Sequence, residues 1–263
     1  MFQPVIPSNG LAGWRFLQST YDAQFDAFTQ STRLQRDTDY FRENVGTIKT
    51  AEEFVADRRL MTVALGAFGL ESDLDNRFFI QKILADGTQS EDALANRFAD
   101  TRYREFSAAF GFGPQEFLKV TETGFVDAII SRFESASFEA AAGEQNSAMR
   151  IALYAQRELP NLARDNISAN AKWFTIMGDP PMRDLFEKAL NLPAALGQID
   201  IDQQLGIFKQ KARLIFGSDD PAQFVVEDVQ QELITKYMVR EELSRQRGGF
   251  SGGSIALTLL QGF

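Results

Sequence analysis

The sequence predicts an all-α protein whose two helical lobes are joined by long central helices. Apolar residues recur at helical spacing along almost the whole chain, and the alternation expected of strands is scarce. A chain of 263 residues with 44% hydrophobic residues is near the length at which a single core divides in two. Its 24 phenylalanines outnumber 5 tyrosines and 2 tryptophans, which indicates aromatic side chains that serve mainly for burial.

The first two helices are predicted over 14–36 and from Thr50 onward. The segment Thr50-Ala51-Glu52-Glu53 has the form of a capping box, in which threonine and glutamate side chains bind free amides at a helix start. Gly69 is expected to end the second helix, because glycine adopts the left-handed conformation of a helix C-terminus without a Cβ clash. The predicted buried face of that helix comprises Phe54, Met61, Leu65 and Phe68.

Two shorter helices are predicted over 76–85 and 91–110, and the second of them is expected to break in two. The segment 121–159 then predicts either one long helix or two helices in line. Gly143 weakens its middle, because glycine lowers helix stability. Pro160 is expected to end it, because proline lacks the amide that a helix interior requires.

Capping and turn residues mark the helices of the second half. Asp179-Pro180-Pro181 predicts a helix start, since prolines are tolerated in a first turn whose amides have no helical partner. A further helix is predicted over 202–216. The turn at 217–221 leads into a last long helix that reaches about Arg245. The buried face of this last helix comprises Val226, Val229, Leu233 and Tyr237.

These elements divide the chain into five segments. They are an N-terminal segment with a helix, a first helical lobe, a long connection of one or two helices, a second helical lobe, and a glycine-rich tether with an apolar tail. Their ranges are 1–36, 37–120, 121–164, 165–247 and 248–263.

The two halves of the sequence show a weak internal similarity. Tyr40-Phe41 resembles Trp173-Phe174, and the segment 79–82 resembles 208–211, at separations of roughly 130 positions. A divergent internal duplication explains the match, and so does a helical pattern that the two halves share without duplication. Both explanations stay open.

The composition excludes several classes of function. The chain contains no histidine and no cysteine, which removes histidine general bases, cysteine nucleophiles, zinc ribbons and disulfides. It has 36 acidic and 27 basic residues, a net charge of -9, which argues against binding to nucleic acid. The arginines are scattered among carboxylates, so we interpret them as solvated helix faces and ion pairs between the lobes. No secretory signal and no membrane span are predicted.

Two acidic pairs and two glycine-rich stretches are candidate sites by residue type. Asp73 and Asp75, like Asp200 and Asp202, stand just before predicted helices, so capping explains them better than a metal ion does. The stretches 66–69 and 248–253 lack the lysine and hydroxyl residue of a phosphate-binding loop. We therefore predict no catalytic residue, no cofactor, no metal site and no small-molecule ligand.

The C-terminal tail is the most unusual local feature of the sequence. A Gly-Ser tether precedes an apolar peptide, which is typical of a docking element. This peptide is expected either to fold back on its own core or to bind a partner or a second copy of the chain, and the two alternatives stay open. The candidate interaction residues are Phe250, Ile255, Leu257, Leu259, Leu260 and Phe263.

Several segments, spread along most of the chain, together resemble a bacterial family of unknown function. The resemblance is carried by 39–50, 57–60, 67–70, 95–98, 100–103, 196–205 and 216–224. Members of that family are commonly encoded among flagellar genes of alphaproteobacteria, and the family brings no catalytic residues that could be carried onto this sequence.

The resemblance implies a non-enzymatic structural or interaction protein of flagellar assembly or function. We expect a protein partner or self-association, and a location in the cytoplasm or, after export, at the flagellum. The alternative is a small-ligand binder or a carboxylate-dependent enzyme with its site between the two lobes.

Overall fold

A computed structural model of the chain describes residues 2–249, without the side chains of residues 194 and 246–249. The predicted all-α class is confirmed: thirteen α-helices are present and no strand occurs within the described residues. No helix in that part of the chain is long and apolar enough to cross a membrane. The candidate tail residues from Phe250 to Phe263 lie outside the described residues.

The chain forms two compact units. Unit 1 comprises the residues up to Val5 and Thr20–Glu144, and unit 2 comprises Ile6–Ser19 and the chain from Gln145 onward. The helix α1 (Gly10–Thr29) therefore contributes residues to both units. The five segments predicted above follow the order of the chain and stay a prediction.

The other helices of unit 1 are α2 to α8. They span Thr32–Asn44, Ala51–Ala56, Arg58–Ala67, Arg77–Asp86, Leu94–Arg97, Arg102–Phe110 and Phe125–Gln145. Short 3-10 helices occur at Val45–Thr47 and Glu71–Asp73. The core of the unit is rich in phenylalanine, and its fully buried rings are Phe41, Phe54, Phe106, Phe110 and Phe138.

The other helices of unit 2 are α9 to α13. They span Ser147–Arg164, Ala169–Gly178, Pro180–Ala189, Ile201–Phe216 and Glu227–Gly249. Short 3-10 helices occur at Ala194–Gln198 and Pro221–Val225. The largest buried side chains of this unit are Trp14, Trp173, Phe186, Phe208, Phe224 and Tyr237.

The single helix predicted over 14–36 is wrong, because α1 and α2 are separate. The break falls at Ser31, which has an extended backbone with ψ of 135°. The residues around it are hydroxyl-bearing or polar, and such side chains compete with helical hydrogen bonds. One example is the Thr29 hydroxyl, which donates to the Asp26 carbonyl at 3.1 Å.

The helix start at Thr50 is confirmed. The Thr50 hydroxyl accepts from the Glu53 amide at 3.1 Å, and the Glu53 carboxylate accepts from the Lys49 amide at 2.8 Å. A single helix from Thr50 to Gly69 is wrong, however, because Asp57 interrupts it and caps α4 by accepting from the amides of Arg59 and Leu60. Gly69 follows the end of α4 with a φ of +67°, so the predicted glycine stop is confirmed. The four residues of the predicted face are all buried, although they belong to two helices and the turn that follows.

The segment 121–159 consists of two helices, but the break is at Asn146 and Gly143 lies inside α8. The prediction that Pro160 ends the second helix is also wrong, because α9 continues to Arg164. The Gln230 side chain of α13 donates to the Gln156 carbonyl at 3.1 Å, at the position where the proline supplies no amide.

The helix starts of the second half follow the sequence closely. Asp179 caps α11 by accepting from the Met182 amide, and the two prolines occupy the first turn as predicted. The last helix extends past Arg245 to Gly249.

The residues that are similar between the two halves differ in burial. Phe41 is fully buried, whereas its counterpart Phe174 is 38% exposed. The internal duplication stays a hypothesis.

Candidate interaction site

An apolar groove in unit 1 lies among α2, α4 and α8 and has a volume of about 220 Å³. Leu34 of α2, Gly66 of α4 and Phe28 near the end of α1 contribute to its walls. We call it the α8 groove, because one face of α8 supplies its longest wall. That wall consists of Phe133, Ala136, Ser137, Ala140, Ala141 and Glu144.

The spacing of these α8 residues explains why they share one wall. Residues separated by three, four, seven, eight and eleven positions project from the same side of an α-helix. At 1.5 Å per residue, the wall from Phe133 to Glu144 is about 16 Å long. That length accommodates about three turns of a helix lying alongside α8.

Small residues keep the groove open. A Cβ atom on Gly66 would lie 2.8 Å from the Cδ2 and Cε2 atoms of the Phe133 ring, so only glycine fits without displacing the ring. Ala136 and Ala140 stand one helical turn apart on the facing helix and leave room for an apolar side chain from another segment. Gly66 thus lets the Phe133 ring pack against α4, while the two alanines leave space on the facing wall.

The N-terminal segment closes part of the groove and is held by Gln24. The Val5 amide donates to Oε1 of Gln24 at 2.6 Å, and Nε2 of Gln24 donates to the Val5 carbonyl at 3.2 Å. Gln24 is buried, whereas Val5 is exposed, so the segment is attached to the unit through the glutamine side chain. These bonds place Phe2 and Gln3 in the lining of the groove.

A basic depression adjoins the groove on the side of α2 and α4. Its volume is about 620 Å³, and Arg33, Asp37 and Thr62 line both surfaces, so the two are continuous. We call it the arginine depression. The arginines that line it are Arg33, Arg36, Arg58 and Arg59. All four are exposed on the faces of α2 and α4, as predicted for solvated helix faces, but they gather on one surface instead of being scattered.

The two acidic pairs differ in what their carboxylates contact. Asp200 caps α12 by accepting from the Asp202 amide at 2.9 Å, so capping is confirmed there. Capping is wrong for Asp73, which accepts from the Tyr103 hydroxyl at 2.7 Å, and for Asp75, which pairs with Arg58. The start of α5 has no side-chain cap. Within residues 2–249, no group of three acidic residues is arranged to hold a metal ion.

Three tyrosines have raised pKa values, and all lie outside the lining of the groove: Tyr40, whose hydroxyl donates to Asp57, and the more buried Tyr103 and Tyr237. Burial, together with the hydrogen bond to Asp73, raises the pKa of Tyr103 to about 12. Burial also raises the pKa of Tyr237, and the nearby carboxylates of Asp184 and Glu241 act in the same direction. All three shifts favour a neutral phenol and give no nucleophile or base at neutral pH.

None of the predicted tail residues can be placed relative to this site, since they lie beyond residue 249. The groove and the residues that form it were not predicted from the sequence. The available signal was the spacing of Ala136 and Ala140 within a segment already predicted to be helical. Gly66 gave no such signal, because the ring that it accommodates belongs to a different helix.

The fold and the groove together define an all-α protein with an open apolar surface bordered by arginines. The chain belongs to the family described as a protein of unknown function, DUF1217, which it matches over residues 67–241. It is also similar to a crystal structure of a protein from Agrobacterium tumefaciens, with a TM-score of 0.70 and 24% identity. That match covers 92% of this chain and 99% of the other, and it shows a shared fold. No curated protein matches the chain.

Proposed function

We propose that this protein is a non-enzymatic interaction protein of the bacterial flagellar system and that it binds an apolar segment of a partner polypeptide in the α8 groove. The observation that carries the proposal is the groove itself, an open apolar surface lined by glycine and alanine. The flagellar part of the proposal rests on the resemblance of the sequence to a family commonly encoded among flagellar genes.

The shape of the groove favours side chains of a polypeptide, because its longest wall is one apolar face of α8. An amphipathic helix binds such a surface by inserting side chains at intervals of three and four residues. The 16 Å wall of α8 matches about three turns of such a helix, by the rise per residue of an α-helix.

The proposal also gives the C-terminal tail a part in binding. Residues 250–263 contain no charged side chain and include the apolar run from Ile255 to Leu260. Truncation after Arg247 is expected to leave the thermal unfolding of units 1 and 2 unchanged while weakening self-association or partner binding. A large drop in unfolding temperature would instead assign the tail to the core of the monomer.

Deletion of the gene in a motile host tests the flagellar role. We expect a smaller swimming halo and missing or shortened filaments, hooks or basal bodies in electron micrographs. Normal swimming together with normal flagella would contradict the flagellar part of the proposal.

Substitution of Ala140 by phenylalanine tests the groove in the complemented strain. The ring is expected to fill the space beside Ala136 and to reproduce the deletion phenotype. Ala128→Phe is the matched control, because Ala128 lies on the same helix, is exposed and does not line the groove. If both variants swim normally and circular dichroism shows that both are folded, the groove is not the binding surface.

A further inference from the structure

We infer that the partner segment carries carboxylates at one end of its apolar stretch, and that these bind the arginine depression while the apolar side chains occupy the α8 groove. The inference rests on the proposed function, because it names the chemistry of the segment that the groove would take. It depends on four arginines that the helices α2 and α4 bring to one surface.

The arginine depression and the groove form one continuous surface. Arg33, Asp37 and Thr62 line both of them, so a segment lying in the groove passes directly beside the guanidinium groups. An apolar stretch followed by carboxylates therefore matches the order in which the two surfaces occur. No separate binding event is needed for the charged part.

Two of the arginines are held in place and two are available. The Arg59 guanidinium lies 3.7 Å from the centroid of the Tyr40 ring and donates to the Arg36 carbonyl at 3.0 Å. Arg58 pairs with Asp75 at 2.5 Å, and both side chains are at least half exposed. Arg33 and Arg36 are exposed and have no ion pair with any residue of the part that the structure describes. These two can form charge-assisted hydrogen bonds with incoming carboxylates.

The local charge differs in sign from that of the whole chain. The net charge is -9, yet the depression contains four arginines and one carboxylate, that of Asp37. The lining of the groove also contains Glu71 and Glu144, which do not line the depression. An acidic partner is therefore attracted at the arginine side and repelled elsewhere, which fixes the orientation of the segment.

Two matched pairs of synthetic amphipathic peptides test the inference. Each peptide has the same leucine positions and a glutamine-rich polar face. One pair carries a block of glutamates at either the N-terminal or the C-terminal end, and the second pair carries lysines in place of those glutamates. Affinities are measured by fluorescence anisotropy with the full-length protein at low salt and at high salt.

The wild-type protein should bind one of the glutamate peptides about tenfold more tightly than its lysine counterpart at low salt, and the difference should shrink as salt screens the charges. The double variant Arg33→Glu/Arg36→Glu should lose or reverse this preference. The milder variant Arg33→Gln/Arg36→Gln should lose it without reversal. Both are checked for native helix content before the affinities are compared.

The control variant is Arg77→Glu/Arg97→Glu. It changes the net charge by the same amount at two exposed arginines that line neither surface, so the preference for glutamate should persist. Equal loss of preference in both double variants would mean that only the net charge matters, which overturns the inference.

Ala140→Phe separates the inference from the proposed function. Weaker binding of every peptide by this variant, without any preference for glutamate in the wild type, would retain the groove and overturn the acidic partner. If Ala140→Phe leaves all affinities unchanged, the groove does not bind the peptides, and the proposed function fails together with the inference.

Discussion

The side chain of Gln230 supplies the hydrogen-bond donor that Pro160 lacks. Proline at position 160 leaves the Gln156 carbonyl, four residues earlier in α9, without its helical partner. Nε2 of Gln230 lies 3.1 Å from that carbonyl oxygen and 3.3 Å from the carbonyl oxygen of Ala155. Gln230 is 5% exposed, so water cannot replace the bond. A residue of α13 thus allows α9 to continue through a proline.

Replacement of Gln230 by methionine should destabilise unit 2. Methionine has a similar shape but no donor, so the Gln156 carbonyl remains buried without a partner, at a cost of about 1–3 kcal/mol. Urea unfolding measures the change in free energy.

The variant Pro160→Ala is the control for this prediction. Alanine restores the amide at position 160, so Gln230→Met should cost less than about 0.5 kcal/mol in that background. An equal cost of Gln230→Met with proline and with alanine at position 160 would show that the two residues are not coupled.

Alanine substitutions at two helical glycines should have opposite effects. Gly206 of α12 has no atom within 4 Å of the position of an added Cβ, so Gly206→Ala should raise the free energy of unfolding by about 0.5–1 kcal/mol. Gly66→Ala should lower it by about 1–3 kcal/mol, because the Cβ would lie 2.8 Å from the Phe133 ring. Thermal unfolding of the two variants is compared with that of the wild type. Stabilisation by Gly66→Ala would show that the ring moves freely.

Removal of the side chain at two N-cap positions should lower the free energy of unfolding by unequal amounts. Asn146 accepts from the Ala148 amide at 3.1 Å and from Arg245 at 2.6 Å, and it donates to Asn9 at 3.2 Å. Asn146→Ala should therefore cost about 1–2 kcal/mol or more in urea unfolding. Ser31 is the N-cap of α2 without a side-chain cap bond, so Ser31→Ala should stay within about 0.5 kcal/mol of the wild type. Equal losses would exclude capping as the cause.

Tyr103 should make the protein less stable at alkaline pH. Its pKa rises from 10.0 to about 12 on folding, so the folded state holds the phenol proton more tightly than the unfolded chain does. This contribution is complete below pH 10 and is lost as the pH rises toward 12. In Tyr103→Phe, stability should fall less over that range, and an absorbance titration at alkaline pH should lack the ionisation near 12. A titration identical to that of the wild type would contradict the assignment.

Local signals in the sequence were sufficient for several helix starts. Thr50 and the segment from Asp179 to Pro181 predict helix starts correctly because a cap and the amides that it binds lie within four residues of each other. Gly217 was predicted as part of a turn, and its φ of +88° is a conformation that glycine adopts without strain. These features depend on neighbours along the chain, which a sequence shows directly.

Features that depend on distant residues were not predictable in this way. The continuation of α9 through Pro160 depends on Gln230 in another helix. The groove depends on Gly66 and Phe133, which lie on α4 and α8. The arginine depression depends on the approach of α2 and α4, whose arginines are separated in the sequence by a turn and a third helix. Each of these contacts joins residues of different helices, so the sequence of one helix does not reveal it.

The division of α1 between two units limits how the protein can be cut into fragments. A fragment that begins at Gln145 lacks Trp14 and Leu17, which are buried side chains of unit 2. It also lacks Gln18, which exchanges hydrogen bonds with Gln156 at 2.8 and 3.0 Å. The family match over residues 67–241 likewise begins after α1. A fragment cut at its ends would therefore also lack the part of α1 that completes unit 2. Unit 2 is therefore complete only when a peptide containing residues 6–19 is supplied, as in fragment complementation.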